Sequence, residues 1–403
     1  MNIEVSKPQT GERGQLLKRA AGYAFKLFIA LRVGTLAWVL LLSLVGGRTP
    51  SEPDVLCRSG DLLENNLDLG TGLGSWLRWD TICYLSIAET GYANLGLSVW
   101  PPLYPLLIRV FSLVFTPPVL AALIISSLAT WLAFFLLYVL VTEDQNESTA
   151  KNMLFLYVVY PVSFFLVAGY TESLFLALVI GSFLLARKKA WVLAGILAAL
   201  ATLTRNQGIV LSAVLLWEGI LQYKEEKGLR VSEIIKILFS AALPALTFGA
   251  FALYIHNGLN AGWPWNTLGT LWGQYTGFPW EGVTGNFKQL STLAISPDLY
   301  WLPTTVLDLI LAILIPMVLI VHRRALRSTY MVFAWLLLFI ALIKLGPGNT
   351  LVSFSRYMIA AFPFFISISP IVNNRYAKLV ILGVCLILQA ILLGMFYIWS
   401  WAS

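Results

Sequence analysis

The chain has 403 residues, 58% of them hydrophobic and 12% charged, against about 25% charged in an ordinary soluble domain. That excludes a soluble globular fold and predicts an all-α polytopic membrane protein. The formal net charge of +7 has no Lys/Arg-rich tract or soluble aromatic platform to carry it, so it reads as membrane orientation and excludes nucleic acid as a partner. Three cysteines and two histidines, scattered along the chain, predict neither a metal site nor a disulfide framework.

Residues 1–23 are polar and basic, with no apolar core leading to a small-residue cleavage site, so no cleaved signal is expected and the first helix acts as its own. A hydrocarbon core of about 30 Å needs roughly 20 apolar residues as helix. Eleven stretches approach that length: residues 24–46, 118–141, 152–168, 173–187, 190–204, 208–222, 236–256, 303–321, 328–345, 357–372 and 379–401. Residues 101–115 are apolar but short, and they contain Arg109. If they crossed, the basic segments 187–189 and 224–236 would move to the outer side, against the positive-inside rule. They are therefore expected to lie along or dip into the outer leaflet, started by Pro101 and Pro102.

On this reading residues 1–403 are one membrane domain with an inner N-terminus, an outer C-terminus and two large outer loops, 47–117 and 257–302. The second loop carries Trp263, Trp265, Trp272, Tyr275, Trp280, Tyr300 and Trp301 among glycines and prolines. Aromatics this dense are either an interfacial belt or a surface for stacking on sugar rings and lipid. The acidic stretch 143–147 reads as a solvated inner linker, and the sequon Asn146-Glu147-Ser148 then faces inward. No phosphate-cradling Gly-rich motif is present, and no internal repeat is evident.

The informative residues are ionisable groups at the outer ends of apolar helices, where a charge costs several kcal/mol unless it has a partner. Asp80 follows Arg78 and Trp79 in the first long polar segment; it is either a catalytic carboxylate or the N-cap of a helix over 81–89. Glu89 follows nine residues later. Glu172 lies in the turn Gly169-Tyr170-Thr171-Glu172-Ser173, Arg205 in Thr204-Arg205-Asn206-Gln207-Gly208, and Arg356 before Tyr357 at the start of the tenth stretch. Each alone is an ordinary turn or a snorkelling side chain. All fall on one side of the expected topology, which predicts one outward-facing polar cavity. Two arginines there suit a phosphate, because guanidinium offers planar, forked donors and is always charged.

Several blocks in order carry a resemblance: Trp79-Asp80, Ile87-Ala88-Glu89, Gly91-Tyr92, Pro102-Leu103-Tyr104-Pro105-Leu106, Tyr160-Pro161, residues 169–175, residues 204–208, Arg356-Tyr357 and Phe362-Pro363. They resemble the PIG-V family of mannosyltransferases, which add the second mannose in glycosylphosphatidylinositol assembly, and their prokaryotic relatives. The resemblance implies a GT-C glycosyltransferase architecture with about 11 transmembrane helices and juxtamembrane helices in the first outer loop. It also implies a polyprenyl- or dolichyl-phosphate-mannose donor and a lipid-linked or glycan acceptor. Asp80 matches the catalytic acid of such enzymes. Arg205 and Arg356 would hold the donor phosphate; Arg78, Trp79, Glu89, Tyr104, Glu172, Asn206 and Tyr357 would support the site or the substrates. No pair of adjacent acids follows Asp80 in the first loop, which points to inverting, metal-independent transfer with no cofactor besides the lipid-linked donor. The enzyme would act as a monomer among membrane lipids, in the cell membrane of a prokaryote or the endoplasmic reticulum of a eukaryote. The rival reading is a lipid or sugar transporter or flippase without transferase activity, in which the outer charges line a translocation path.

Overall fold

Lipid offers no hydrogen-bond partner to a backbone, so a chain this apolar must satisfy its main chain inside helices. In the computed structural model the described residues are 10–45, 57, 70–226, 228–259, 262–293 and 301–400; Tyr300, named above, lies outside them. Helix α1 (Thr10–Val45) is followed by α2 (Asp80–Thr90) and α3 (Leu103–Phe111). At nine residues α3 rises about 14 Å, too little to cross, in keeping with a segment lying along the membrane.

Pro118 at the first turn starts α4 (Pro118–Asp144), and Asn146 starts α5 (Glu147–Val159) by accepting the Thr149 amide at 2.9 Å. Helix α5 stops where Tyr160 turns extended before Pro161, so the expected crossing 152–168 is helix only to Val159 and then a short 3₁₀ turn. Helices α6 (Glu172–Arg187) and α7 (Trp191–Thr204) pack as a hairpin, while α8 (Leu211–Glu225) packs on α9 (Val231–Leu253), which also covers α7; α10 (Pro264–Thr270) follows. The aromatic segment expected as the second outer loop then gives β1 (Tyr275–Thr276) and α11 (Pro279–Leu293).

Helices α12 (Leu302–Val321) and α13 (Ser328–Ile343) lead into β2 (Lys344–Leu345), which pairs antiparallel with β1. The expected tenth crossing is broken. Helix α14 (Phe354–Tyr357) and the 3₁₀ turn after it meet α15 (Phe362–Ile368) at an 82° bend, where Ala361 leaves the helical region and Pro363 starts the next turn. Asn374 caps the last helix, α16 (Arg375–Tyr397).

Among the described residues five helices are long and apolar enough to cross a membrane: Gly11–Val45, Pro118–Asp144, Val231–Gly258, Leu302–Val321 and Arg375–Tyr397; the bent pair Phe354–Ala360 and Phe362–Asn373 would make a sixth. This is an integral multi-pass membrane protein. The other expected crossings fall on α5, α6, α7, α8 and α13, which have 13, 16, 14, 15 and 16 residues and so rise only about 20 to 24 Å. Ion pairs tie the end of the bundle that carries the lysine-rich turns. Glu218 accepts from Arg327 at 2.6 and 3.1 Å and from Thr329 at 2.6 Å, while Asp144 holds Arg187 and the Tyr330 hydroxyl.

One expectation is overturned. Cys57 and Cys83 form a disulfide, with Cα atoms 4.8 Å apart, that joins the segment after α1 to the first turn of α2. Cysteine spacing hid this because the 26-residue separation is bridged only by the loop's return.

The turn between α7 and α8 depends on Gly208, where an added Cβ would meet the Thr202 amide nitrogen at 2.4 Å and the Ala201 carbonyl carbon at 2.7 Å. Gly208→Ala should therefore push the turn off α7 at a cost of about 1–3 kcal/mol. A lowered melting temperature of the purified protein checks this; an unchanged one would show that the turn has room.

Candidate functional site

The site is assembled from the short helices' ends. Helix α6 begins at Glu172, which is buried with only 3% of its side chain exposed. Its Oε1 accepts from Arg205 Nη1 and lies 3.2 Å from Arg356 Nε. Arg356 in turn reaches Asp80 Oδ2 through Nη2 at 3.0 Å. The four residues come from four separate segments and form one alternating chain of charge. Burial disfavours a charged Arg205 most strongly, but the groups around it, Glu172 foremost, together hold the guanidinium above its usual pKa.

Hydrogen bonds fix the segments to one another. Thr81 Oγ1 donates to the Gly169 carbonyl at 3.2 Å and the Tyr170 hydroxyl to the Arg78 carbonyl at 3.1 Å, tying the start of α2 to the turn before α6. A Cβ at Gly169 would press on Thr81 Cγ2 at 3.0 Å. Arg205 also donates to Thr171 Oγ1 at 3.2 Å, and that oxygen meets the Tyr84 hydroxyl at 3.3 Å. Asp308, buried in α12, accepts the Ser355 amide at 2.8 Å, while the Tyr160 hydroxyl donates to the Ser355 carbonyl at 2.8 Å, so the short α14 is held from both sides.

Aromatic faces supply the rest of the cations' surroundings. Arg356 lies 5.3 and 5.4 Å from the ring centroids of Phe165 and Tyr170, and Arg205 lies 4.9 Å from that of Tyr357. Trp79 and Ser353, immediately before the segments bearing Asp80 and Arg356, have φ of 47° and 52°. Such conformations cost about 1–3 kcal/mol each for residues with a Cβ and are held only where the surroundings over-determine them.

This cluster forms part of the wall of a cavity of about 840 Å³, in the size range of small-molecule sites. Trp79, Asp80, Arg205, Asn206, Arg356 and Tyr357 line it, and Asn206 also donates to the Val99 carbonyl at 3.4 Å. Asp80 is in the first turn of α2 and does not cap it; Trp79 occupies that position. The aromatic segment contributes Trp265, Trp272, Tyr275 and Trp301 to the same cavity.

Other expected residues sit elsewhere. Arg78 is buried and donates to the carbonyls of Gly74, Leu77 and Tyr397, which makes it a brace for the loop. Tyr104 is fully buried behind the site, its hydroxyl on the Ala122 carbonyl at 2.9 Å and on Ser126. Glu89 is exposed near the far end of α2, about 14 Å along the helix from Asp80. Lys344 and Asp308 went unmarked, although the criterion that found Arg205, an ionisable group in or at the end of an apolar helix, applies to both.

Among the described residues no group of three or more His, Cys, Asp or Glu could hold a metal ion; the carboxylates of Asp80 and Glu172 face guanidinium groups. A family model described as mannosyltransferase (PIG-V) matches residues 28–258, a stretch that contains Asp80, Glu172, Arg205 and Asn206 but ends before Arg356. No curated protein and no solved structure matches the chain.

Removing the Glu172 carboxylate leaves two buried arginines without their shared partner, a class of change that costs about 3–5 kcal/mol. Glu172→Gln should lower the melting temperature sharply, and Glu89→Gln, at an exposed position, by much less. Equal effects of the two substitutions would show that the charge chain does not hold these segments together.

Proposed function

The chain belongs to the PIG-V mannosyltransferase family, whose model covers more than half of it, and from that premise we propose that it moves mannose from a polyprenyl-phosphate carrier to an acceptor hydroxyl at the outer face of the membrane. The observation that carries this reading is the sharing of one cavity wall by an accessible carboxylate and two arginines. Asp80 has 18% of its side chain exposed against 3% for Glu172, so Asp80 is the group that can meet a substrate.

In this reading Asp80 takes the proton of the acceptor hydroxyl as its oxygen attacks the anomeric carbon from the face opposite the phosphate. The bond from that carbon to the phosphate oxygen breaks, and its electron pair leaves with the carrier phosphate. Attack from behind inverts the anomeric centre. Arg205 and Arg356 stabilise the negative charge gathering on the phosphate. Each guanidinium has five N–H donors, so engagement with a carboxylate leaves donors for a phosphate. Trp79 and the tryptophans of the second outer segment offer faces for the sugar rings.

Two cations already aimed into the cavity would do the charge work that a divalent ion does in other transferases, which supports a metal-independent reaction. The acceptor is lipid-linked or a glycan. The membrane is the cell membrane in a prokaryote and the endoplasmic reticulum in a eukaryote, and the protein acts as a monomer. A transporter reading would expect charged pairs on broken helices near the bilayer midplane; Arg356 does lie on the broken tenth crossing, but its partners Asp80 and Glu172 stand at the starts of unbroken helices.

Asp80→Asn keeps the shape of the side chain and removes its basicity. It should lower transfer from a polyprenyl-phosphate-mannose donor by about 10²-fold or more, with a melting temperature lowered far less than by Glu172→Gln because Glu172 still faces Arg356, and a chelator should leave the native activity intact. Transfer near the native rate by Asp80→Asn would exclude this residue as the base.

A further inference from the structure

The cavity wall holds a third cation that the transfer reading leaves unused. Lys344 opens β2, and its backbone is fixed by pairing with Thr276 across the ribbon. Its ammonium donates to the Tyr357 hydroxyl and stands 4.8 Å from the centroid of that ring. The Arg205 guanidinium is 4.9 Å from the same centroid. One phenol therefore carries two cations, and all three residues line the cavity.

The helix macrodipole favours a lysine at the end of α13, and that alone would explain a solvated side chain. It does not explain a lysine turned onto Tyr357 in a cavity wall beside a second cation. Arg205 is matched by Glu172, and Arg356 by Asp80 and Glu172, while Asp308 accepts the Ser355 amide. Among the described residues Lys344 has no carboxylate partner. Two cations brought this close repel each other, and a doubly charged anion between them would relieve the repulsion.

The surface beside Lys344 indicates what kind of anion. Ile340 and Ile343, within the last turn of α13, line the cavity together with Phe248 and Phe251 of α9. Ile340 lies about 6 Å further along the helix axis than Lys344. A cation at the end of a helix with an apolar wall one turn deeper matches an amphiphile, its charge at the end and its chain along the wall.

The geometry points to Lys344 as the phosphate contact of a lipid phosphate, with Arg205 beside the same Tyr357 ring and the hydrocarbon chain lying against Ile340, Ile343, Phe248 and Phe251. The identification of that lipid as the carrier phosphate that sugar transfer releases, a doubly charged monoester, rests on the transferase reading; the site itself does not. Lys344 binds the charge, and Tyr357 sets its position by donating no proton to it and accepting its N–H.

The purified full chain in detergent, titrated with farnesyl phosphate while tryptophan fluorescence is followed, tests this, with farnesol and inorganic phosphate as separate arms. The native chain should bind farnesyl phosphate well and the other two poorly. Lys344→Ala should weaken that binding by about tenfold or more, the scale of a lost charge-assisted hydrogen bond, and Lys344→Arg should retain most of it. Lys344→Gln, which keeps the stem, reads the same loss if the alanine variant does not fold. Undiminished affinity in a folded Lys344→Gln protein overturns the proposal. So does equal binding of farnesol, which removes the phosphate, or of inorganic phosphate, which removes the lipid. A chain that binds farnesyl phosphate through Lys344 but transfers no hexose supports this site and sinks the transferase reading. A chain that transfers mannose with Lys344 replaced and its lipid affinity unchanged sinks this site alone.

Discussion

The buried carboxylate of Glu172 is the constraint on which the site depends. Between the guanidinium groups of Arg205 and Arg356 it is the one charge that lets both be buried together. Taking three charges out of water costs several kcal/mol for each, and an apolar replacement of similar volume is often as stable. The triad is thus a poor way to stabilise a membrane bundle. What it provides is position: the start of α6, the turn after α7 and the short α14 can satisfy their charges only in one mutual arrangement. The rings of Phe165, Tyr170 and Tyr357 cover the guanidinium faces that no carboxylate reaches.

Helix length explains why these turns enclose a cavity. Helices α6, α7 and α8 are too short to cover a hydrocarbon core of about 30 Å. With their opposite ends held by Arg187, Glu218 and Arg327, the turns bearing Glu172 and Arg205 stop short and leave a recess. Helix α2, the β1–β2 ribbon and the aromatic segment before it roof that recess. Irregular backbone is tolerated at such a depth only where it is buried in protein or lines a polar space. The break at Ala361 and the positive φ of Trp79 and Ser353 are found around this same space.

Much of this was legible in the sequence, because burying a charge is expensive and therefore conspicuous. Asp80, Glu172, Arg205 and Arg356 were found by that one rule, and they converge. Their pairing could not be read, since nothing local indicates that one glutamate serves two arginines. Arg78 met the same rule for a different reason: its donors are taken by backbone carbonyls. Glu89 was included by proximity in sequence, which a helix converts into distance. Lys344 went unmarked, because only the ribbon turns it inward. Hydropathy located the long apolar helices but not α10 and α11, which lie in the segment read as a loop, and the proline at 161 and the bend before Pro363 changed two expected spans into broken ones.

The pairing of Asp80 with Arg356 fits a role for Asp80 against a substrate because the guanidinium is shared: Arg356 meets Asp80 through Nη2 at 3.0 Å and lies against Glu172 on its Nε side. On the transfer reading, the donor phosphodiester, with its one negative charge, competes with the Asp80 carboxylate for the Nη2 side. As the guanidinium turns part of its hydrogen bonding to the phosphate, an Asp80 oxygen is left open to an acceptor hydroxyl. Glu172 keeps Arg356 from leaving altogether, since it holds the Nε side of the same guanidinium. One arginine shared between two carboxylates would thus make the availability of Asp80 depend on the donor, with no moving domain required.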